Sequence, residues 1–238
     1  MTTELSLTGL LFVTLHSTLI STLSQLCERG EAFTLSEQVL KRKGAATGDI
    51  RIRVRALRLK SEQLASRPEG RTRWSLTVLH KPEPVRTSPL ALQYSVSEIA
   101  IEDGVHPREI ASALGFEEKD YDLHKRGTLW ERSGVRIEVY QLFPDELSKD
   151  PLDQLSFVVQ ASVRFSQPGP ASSSSGSNLN LTASKATTKQ NSTPNQASQN
   201  STNGGGGNSG QEDRDRALAA LEGIKRALKG VVDLKRME

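Results

Sequence analysis

The run RIRVRALRLK, at positions 51–60, holds the residues that could most readily do chemistry. Three arginines alternate with apolar residues in it: Arg51, Arg53 and Arg55. Because side chains of a strand alternate between its two faces, these guanidinium groups share one face and could hold phosphates together. The sequence does not say which way that face points. A solvated arginine face is the commoner arrangement on a strand, and it is our expectation here.

The same arginines would suit a tunnel if they pointed into a closed barrel. Triphosphate tunnel enzymes pair such basic rows with glutamates that hold a divalent metal, and they characteristically begin with a Glu-x-Glu-x-Lys strand. The first strand predicted here has Glu4, Ser6 and Thr8 at that spacing, and neither Glu131 nor Glu138 belongs to a Glu-x-Glu pair. Magnesium needs more carboxylates than this pattern offers. We therefore expect no phosphohydrolase activity.

Other reactive residue types are scattered along the chain. The four histidines stand singly, without the spacing of a zinc site: His16, His80, His106 and His124. Cys27 lies in no nucleophile motif and is expected to be a buried structural thiol. The glycine run NGGGGNSG does not follow a strand, so it is not a phosphate loop. The sequence thus predicts no catalytic, cofactor-binding or metal-binding residue, and we expect a protein that is not an enzyme.

Composition narrows the class of protein and its compartment. The chain has 238 residues and one cysteine, which excludes an intramolecular disulfide framework and favours cytosol or nucleus. Its net charge of +3 comes from interleaved acidic and basic residues, so charge hardly favours a nucleic-acid partner. A nucleic-acid-binding barrel would also need aromatic platforms beside the arginines, and these are missing. The short apolar run near Leu10 predicts neither a signal peptide nor a membrane span.

Alternation and turn residues predict about eight strands in the first two thirds of the chain. They are Glu4 to Leu11, Leu35 to Arg42, Ile50 to Leu59, Arg73 to Lys81, Leu90 to Ile101, Lys119 to Glu131, Gly134 to Phe143 and Gln154 to Phe165. Two helices interrupt them, Ser17 to Glu28 and a second one from about His106 to Gly115. The gaps are mostly too short for parallel crossovers, so we predict a mainly β, antiparallel barrel or sandwich flanked by helices.

Three segments follow from the composition. Residues 1–166 form the predicted β domain, residues 167–211 form a Ser/Asn/Gly-rich stretch predicted to be a disordered linker, and residues 212–238 form a C-terminal amphipathic helix and tail. Apolar residues recur at helical spacing in the last segment: Leu218, Leu221, Ile224, Leu228 and Val231. The helix is expected to pack on the β domain, and binding to another protein is the alternative.

Order and local pattern together resemble the Mediator complex subunit 18 family. The chain has ELSLTGLL then STLISTLSQLC, the tryptophan strand RWSLTVLHKPEP, and a helix that closes at Leu114-Gly115-Phe116. Tyr121, Gly127 and Trp130 follow, then GVRIEVYQLF, LSFVVQASV and a last helix leading into VVDLKR. Trp130 stands where the family usually has phenylalanine, and the Ser/Asn/Gly-rich stretch is specific to this chain.

The resemblance implies a closed eight-stranded antiparallel barrel, similar in fold to triphosphate tunnel enzymes but without their activity. It implies a nuclear, non-catalytic subunit of the Mediator head module, acting as an interaction scaffold in transcription by RNA polymerase II. Its implied partners are Mediator subunit 20, a C-terminal helix of Mediator subunit 8, other head-module subunits and the polymerase machinery. A metal-dependent triphosphatase is the alternative. The partner-binding residues stay open, and the charged face of the hairpin around Arg136 and Glu138 is expected to be surface or interface.

Overall fold

The computed structural model describes residues 2–44, 50–60, 72–101, 105–166 and 209–237. The predicted linker, 167–211, lies outside these residues as far as position 208. The last helix begins at Ser209, inside the end of that predicted linker. The division of the chain into three segments stays a prediction.

Eight strands close into one antiparallel barrel, as the sequence predicts. They are β1 (Thr2–Phe12), β2 (Gly30–Arg42), β3 (Arg51–Lys60), β4 (Thr72–Leu79), β5 (Leu92–Ile101), β6 (Phe116–Arg132), β7 (Val135–Phe143) and β8 (Ser156–Ser166). The helices are α1 (His16–Leu26), α2 (Pro107–Ala113) and α3 (Ser209–Ala227). Around the barrel the order is β1-β5-β4-β3-β2-β6-β7-β8, and β8 pairs with β1 to complete the closure.

Strand β2 extends beyond its predicted bounds and begins at Gly30 rather than Leu35. Gly30 pairs with Trp130 of β6, and a Cβ built on Gly30 would lie 2.5 Å from the indole ring. The glycine is therefore required by the close approach of the ring. A glycine gives no strand signal of its own, because it lacks a side chain that could take part in an alternation pattern.

The hairpin between β6 and β7 turns at Ser133 and Gly134, whose φ angles are 49° and 77°. Positive φ at both central residues is characteristic of the tight turn that fits the right-handed twist of paired strands. Arg132 and Val135 pair on either side of it. The predicted hairpin is confirmed, and its turn fixes which residues of β6 and β7 share a face.

The largest apolar core lies outside the barrel wall, beneath α1 and α3. Outward-facing side chains of β8, namely Val159, Ala161 and Val163, are buried there. The covering side chains come from the two helices and the C-terminal segment: Leu19, Leu23, Leu221, Ile224, Leu228, Val232 and Leu234. Burying apolar surface at about 25 cal/mol per Å² makes this layer the main source of stability.

A second, smaller apolar layer lies under α2 on the far side of the barrel. Its members come from α2 and the strands beside it: Leu40, Ile52, Val54, Leu76, Ala111 and Phe116. Gly115, with φ of 83°, ends the helix, and its amide donates to the Ser112 carbonyl oxygen at 2.8 Å. Since Ile52 and Val54 face outward into this layer, the arginines that alternate with them on β3 must face the barrel interior.

The C-terminal segment extends the wall along β1 beyond the first residue of β5, Leu92, which pairs with Ser6. The amide of Thr8 donates to the Lys235 carbonyl oxygen at 2.8 Å, and the amide of Lys235 donates back at 3.0 Å. The Arg236 guanidinium donates to the carbonyl oxygens of Ser88, Ala91 and Glu83. These contacts hold the segment after α3 against β1 and the loop before β5.

Candidate functional site: the charged lumen

One part of the barrel interior, called the lumen below, is lined by charged and polar side chains around a cavity of about 210 Å³. An apolar cluster on the same inward faces, Phe33, Leu35, Leu129 and Tyr140, occupies another part. The charged side chains of the lumen are Glu4, Glu37, Glu138, Arg53, Arg55, Lys125, Arg136 and Arg164. The prediction of a solvated arginine face was therefore wrong for Arg53 and Arg55. Helix α2 covers the apolar face of β3 from outside, so the arginine face of this strand points into the barrel.

Glu37, in the middle of β2, receives two arginines from β3. The residue is 2 % exposed, and Arg55 Nε donates to Glu37 Oε1 at 2.9 Å. Arg53 approaches Glu37 Oε2 at 3.6 Å without a well-directed hydrogen bond. Burial pushes the pKa of Glu37 up, but the charges of Arg55, Lys125 and Arg53 outweigh it and hold the pKa below its usual value. The carboxylate is thus ionised and committed to arginine.

A second carboxylate, Glu4 of β1, is held between its two cross-strand neighbours. Arg164 Nε donates to Glu4 Oε2 at 2.5 Å, and the Tyr94 hydroxyl donates to Glu4 Oε1 at 2.5 Å. Burial and the nearby carboxylate both raise the pKa of Tyr94, so this phenol stays protonated as a donor. Arg164 reaches on to Glu98, and Glu98 lies 3.7 Å from Arg55.

One chain of ion pairs therefore crosses the lumen. It runs from Glu4 through Arg164, Glu98 and Arg55 to Glu37, and the Ser75 hydroxyl donates to Glu98 Oε1 at 2.9 Å. Burial tends to raise the pKa of Glu98, but Arg164, Ser75 and Arg55 together lower it. Acid and base thus alternate from β1 to β2, and each charge offsets its neighbours.

The hairpin contributes a separate pair. Arg136 Nε lies 2.8 Å from Glu138 Oε1, and the Glu138 side chain is buried. The expectation that this charged face is surface or interface was wrong, because Val135, Ile137 and Val139 occupy the outward face under the helices. Two nitrogens of Arg136 are buried without a well-aligned acceptor.

This arrangement limits what the lumen can do chemically. Every glutamate described above lies within 4 Å of an arginine nitrogen. In the described ranges, which leave gaps at 45–49, 61–71, 102–104 and 167–208, no group of three His, Cys, Asp or Glu side chains could hold a metal ion. A divalent cation would have to displace guanidinium groups from their carboxylates before it could bind.

The remaining residues singled out by sequence are dispersed. Arg51 lies at the barrel mouth, where its Nε is 3.0 Å from Asp120, and Glu131 is exposed at the end of β6. The imidazole of His16 stacks on Phe157 with ring centroids 4.2 Å apart. Cys27 is buried, and burial raises the pKa of its thiol against a smaller opposing effect of the Arg132 charge.

Sequence reasoning missed several lumen residues: Glu37, Tyr94, Glu98, Lys125 and Arg164. Each lies on a predicted strand, but each is a single polar residue without a motif. Only the strand register brings them together. Glu4 lies opposite both Tyr94 and Arg164, and Glu37 lies opposite Arg55. Cross-strand neighbours of opposite charge are the sheet's usual ion pairs.

One end of the barrel carries a patch of exposed apolar side chains, called the apolar rim below. Its members come from the end of β1, the turn after it and the loop before β8: Leu10, Phe12, Val13, Leu152 and Leu155. Phe12 and Leu155 are each 70 % exposed. The amide of Val13 donates to the Leu155 carbonyl oxygen at 2.8 Å, which holds the two parts of the rim together.

Helices that could cross a membrane were sought in the described part of the chain. None of the helices there is long and apolar enough to do so.

Comparisons with known proteins show a fold and no sequence family. No family model matches the chain, and no curated protein matches it. Among solved structures, a chain of the Schizosaccharomyces pombe Mediator head module is 15% identical with a TM-score of 0.63. The match covers 99% of this chain and 98% of that chain. This chain shares its fold.

Two further structures are similar. A protein of Pyrococcus horikoshii is 15% identical with a TM-score of 0.55, over 99% of this chain and 94% of its own. A Hippeastrum protein described as an adenylyl cyclase with a dominant triphosphatase activity is 10% identical with a TM-score of 0.41, over 68% of this chain and 80% of its own. A score at that level does not bear on the activity of this chain.

Proposed function

We propose that the chain is a non-catalytic, nuclear subunit of the Mediator head module that presents protein-binding surfaces in transcription by RNA polymerase II. The observation that carries the proposal is the likeness to the fission yeast head-module chain, which extends over almost the whole of both chains. The lumen supports it independently. Carboxylates that are ion-paired to arginine are poorly placed to bind a metal and activate a phosphate.

The partners in this proposal are a Mediator subunit 20 counterpart, which forms a heterodimer with the chain, and a C-terminal helix of a subunit 8 counterpart. Other head-module subunits and the RNA polymerase II machinery are further partners, which the chain contacts as part of that assembly. The apolar rim is the candidate contact surface, since contiguous exposed apolar residues at one end of a domain mark protein-binding sites. A standard interface buries roughly 800 Å² on each partner, so a partner at the rim would also cover polar residues around it.

Co-expression tests the proposal. The full chain and the subunit 20 counterpart should elute together from size exclusion as a one-to-one complex, and a helical peptide of the subunit 8 counterpart should add to that complex. If the chain alone is a monodisperse monomer and neither counterpart co-elutes at micromolar concentration, the partner assignment is wrong.

Variants of the rim refine this test. Phe12→Glu combined with Leu155→Glu places charge in the rim and should weaken the complex at least tenfold, because buried charge without a partner is costly at an interface. Ile99→Glu is the matched control. Ile99 is 59 % exposed on β5 at the opposite barrel end, since β1 pairs with β5 at Thr2 and Val96 and ends at Phe12. A complex that survives the double variant would exclude the rim as the contact.

The alternative function is a metal-dependent triphosphatase, and the five cations that line the lumen favour it. The assay is phosphate release from a nucleoside triphosphate with magnesium or manganese. We expect none above background. Release that Glu138→Gln abolishes would replace the interaction proposal with the enzymatic one.

A further inference from the structure

A second cavity, of about 670 Å³, opens at the barrel end where β3 begins and β7 ends. It is called the mouth cavity below. Four of its lining residues also line the lumen: Arg53, Tyr94, Lys125 and Gln160. Its volume lies within the range of about 300 to 1,000 Å³ that is typical of small-molecule sites. The mouth cavity is therefore large enough to enclose most of a small ligand.

The charged residues lining the mouth cavity have one sign. Its described lining includes Arg51, Arg53, Lys81 and Lys125 and no aspartate or glutamate. Two of these cations are paired with carboxylates, Arg51 with Asp120 at 3.0 Å and Arg53 with the lumen residue Glu37 at 3.6 Å. Lys81 lies on the exposed segment after β4. Lys125 differs from these three cations because it is buried and has no carboxylate partner among the described residues.

Lys125 is 8 % exposed, and no described residue forms a salt bridge with it. Its ammonium lies 4.5 Å from the centroid of the Tyr140 ring, and its charge helps to lower the pKa of Glu37 from a longer distance. A cation–π contact recovers only part of the hydration that a buried ammonium loses. The site thus holds one buried positive charge that an anion in the cavity would neutralise.

The rest of the cavity wall is largely apolar. Val39, Leu123 and Leu142 are part of its lining, and so is Tyr140, whose ring lies against Lys125. Three more apolar side chains at its edge remain between 41 % and 50 % exposed: Ile50, Tyr121 and Met237. Covering these side chains would add apolar burial to the charge contact.

We infer that the mouth cavity is a binding site for an amphiphilic monocarboxylate, with its carboxylate on Lys125 and its apolar body against Val39, Leu123 and Leu142. A single negative charge matches the one deep cation that lacks a carboxylate partner. The apolar body matches the wall. The mouth cavity opens at the same barrel end as the apolar rim, but its described lining includes none of the rim residues, and the inference does not rest on the proposed partners.

Calorimetric titration of the full chain with octanoate and with octanol tests the site, because the two ligands share their apolar body and differ in charge. Octanoate should bind saturably with one site per chain, and octanol should bind roughly tenfold or more weakly, since a charge-assisted contact is lost. Lys125→Met should remove this preference, whereas Lys125→Arg, which keeps the charge, should retain it. Lys149→Met, at an exposed lysine, is the matched control and should change nothing.

Three results would overturn the inference. They are the absence of saturable octanoate binding up to millimolar concentration, equal affinity for octanoate and octanol, and a preference that persists in Lys125→Met. Circular dichroism of each variant shows whether it is folded. Should Lys125→Met fail to fold, the comparison of the two ligands on the unaltered chain and on Lys125→Arg still decides the outcome.

Discussion

Around the lumen the two faces of the barrel wall are both buried, yet they are held together by opposite chemistry. Along β1, Leu5 and Leu7 point outward into the apolar layer under the helices, while Glu4 and Ser6 point inward to the polar lumen. In the lumen, charges offset one another. Beneath α1 and α3, apolar side chains exclude water. The buried face of a strand can therefore be polar as well as apolar.

The outer apolar layer and the lumen network contribute differently to folding. Apolar burial stabilises in proportion to the area removed from water, whereas ion pairs gain little net free energy after their desolvation is counted. We expect the outer layer to supply most of the free energy of folding. The lumen network fixes which strands face each other, because Glu4 and Glu37 each pair with a cross-strand arginine.

The largest expected effect is in the outer layer. Leu221→Ala leaves a cavity beneath α3, where Leu221 is 1 % exposed, and should lower the free energy of unfolding by about 2 to 5 kcal/mol. Leu218→Ala, in the same helix at a partly buried position, is the control and should cost less. Urea denaturation measures both. Equal losses would show that the contact of α3 with the barrel is not what stabilises it.

A close approach inside the wall gives the next effect. A Cβ on Gly127 would lie 2.0 Å from the Val139 carbonyl oxygen and 2.7 Å from Tyr140 Cα, both backbone atoms of β7. Gly127→Ala should therefore lower the free energy of unfolding by about 2 to 3 kcal/mol. Gly223→Ala is the opposite case, because nothing lies within 4 Å of its Cβ in α3.

Removing that helical glycine should raise the free energy of unfolding by about 0.5 to 1 kcal/mol. The two alanine variants together compare a crowded strand with an open helix. A Gly127→Ala protein as stable as the unaltered chain would mean that β6 and β7 can separate at this point without loss.

Mutations in the lumen should lower the free energy of unfolding less than the mutations above, but the lumen contribution should depend more strongly on pH. Glu37→Gln leaves Arg53 and Arg55 without their shared carboxylate and should cost about 1 to 2 kcal/mol at neutral pH, since both arginine side chains stay partly exposed to solvent. The pKa of Glu37 is below its usual value in the fold. Its stabilising contribution is therefore complete above the unfolded pKa of about 4.3 and is lost as pH falls through the folded pKa.

Urea titrations at several pH values between 7 and 3 check this dependence. The free energy of unfolding of the unaltered chain should fall with acid more steeply than that of Glu37→Gln. Parallel curves would mean that protonation of Glu37 is not linked to folding.

Much of the fold follows from local pattern. The alternation of Val159, Ala161 and Val163 with polar residues predicts β8, and Ser133-Gly134 predicts the turn between β6 and β7. These patterns involve residues that are close together in the sequence, so they can be recognised from one sequence alone. Gly30 fails as a signal because its role depends on Trp130, which is distant in sequence.

The site is harder to predict, because alternation distinguishes two faces without saying which one points inward. Arg53 and Arg55 were expected to be solvated because that is the commoner arrangement on a strand. The sequence of β3 does not show that a helix covers its apolar face from outside the barrel. Glu37 and Arg164 gain meaning only through their register partners. Pairing between strands distant in sequence therefore determines which residues meet in the lumen, whereas the local sequence determines where the strands are.

Our central proposal is that the lumen carboxylates stay paired with arginines and therefore do not hold a catalytic metal ion. Calorimetric titration of manganese into the full chain, with inorganic tripolyphosphate present, tests this claim most directly. Heats that match the protein-free control are the predicted result. Saturable metal binding that is lost in both Glu37→Gln and Glu138→Gln would contradict it.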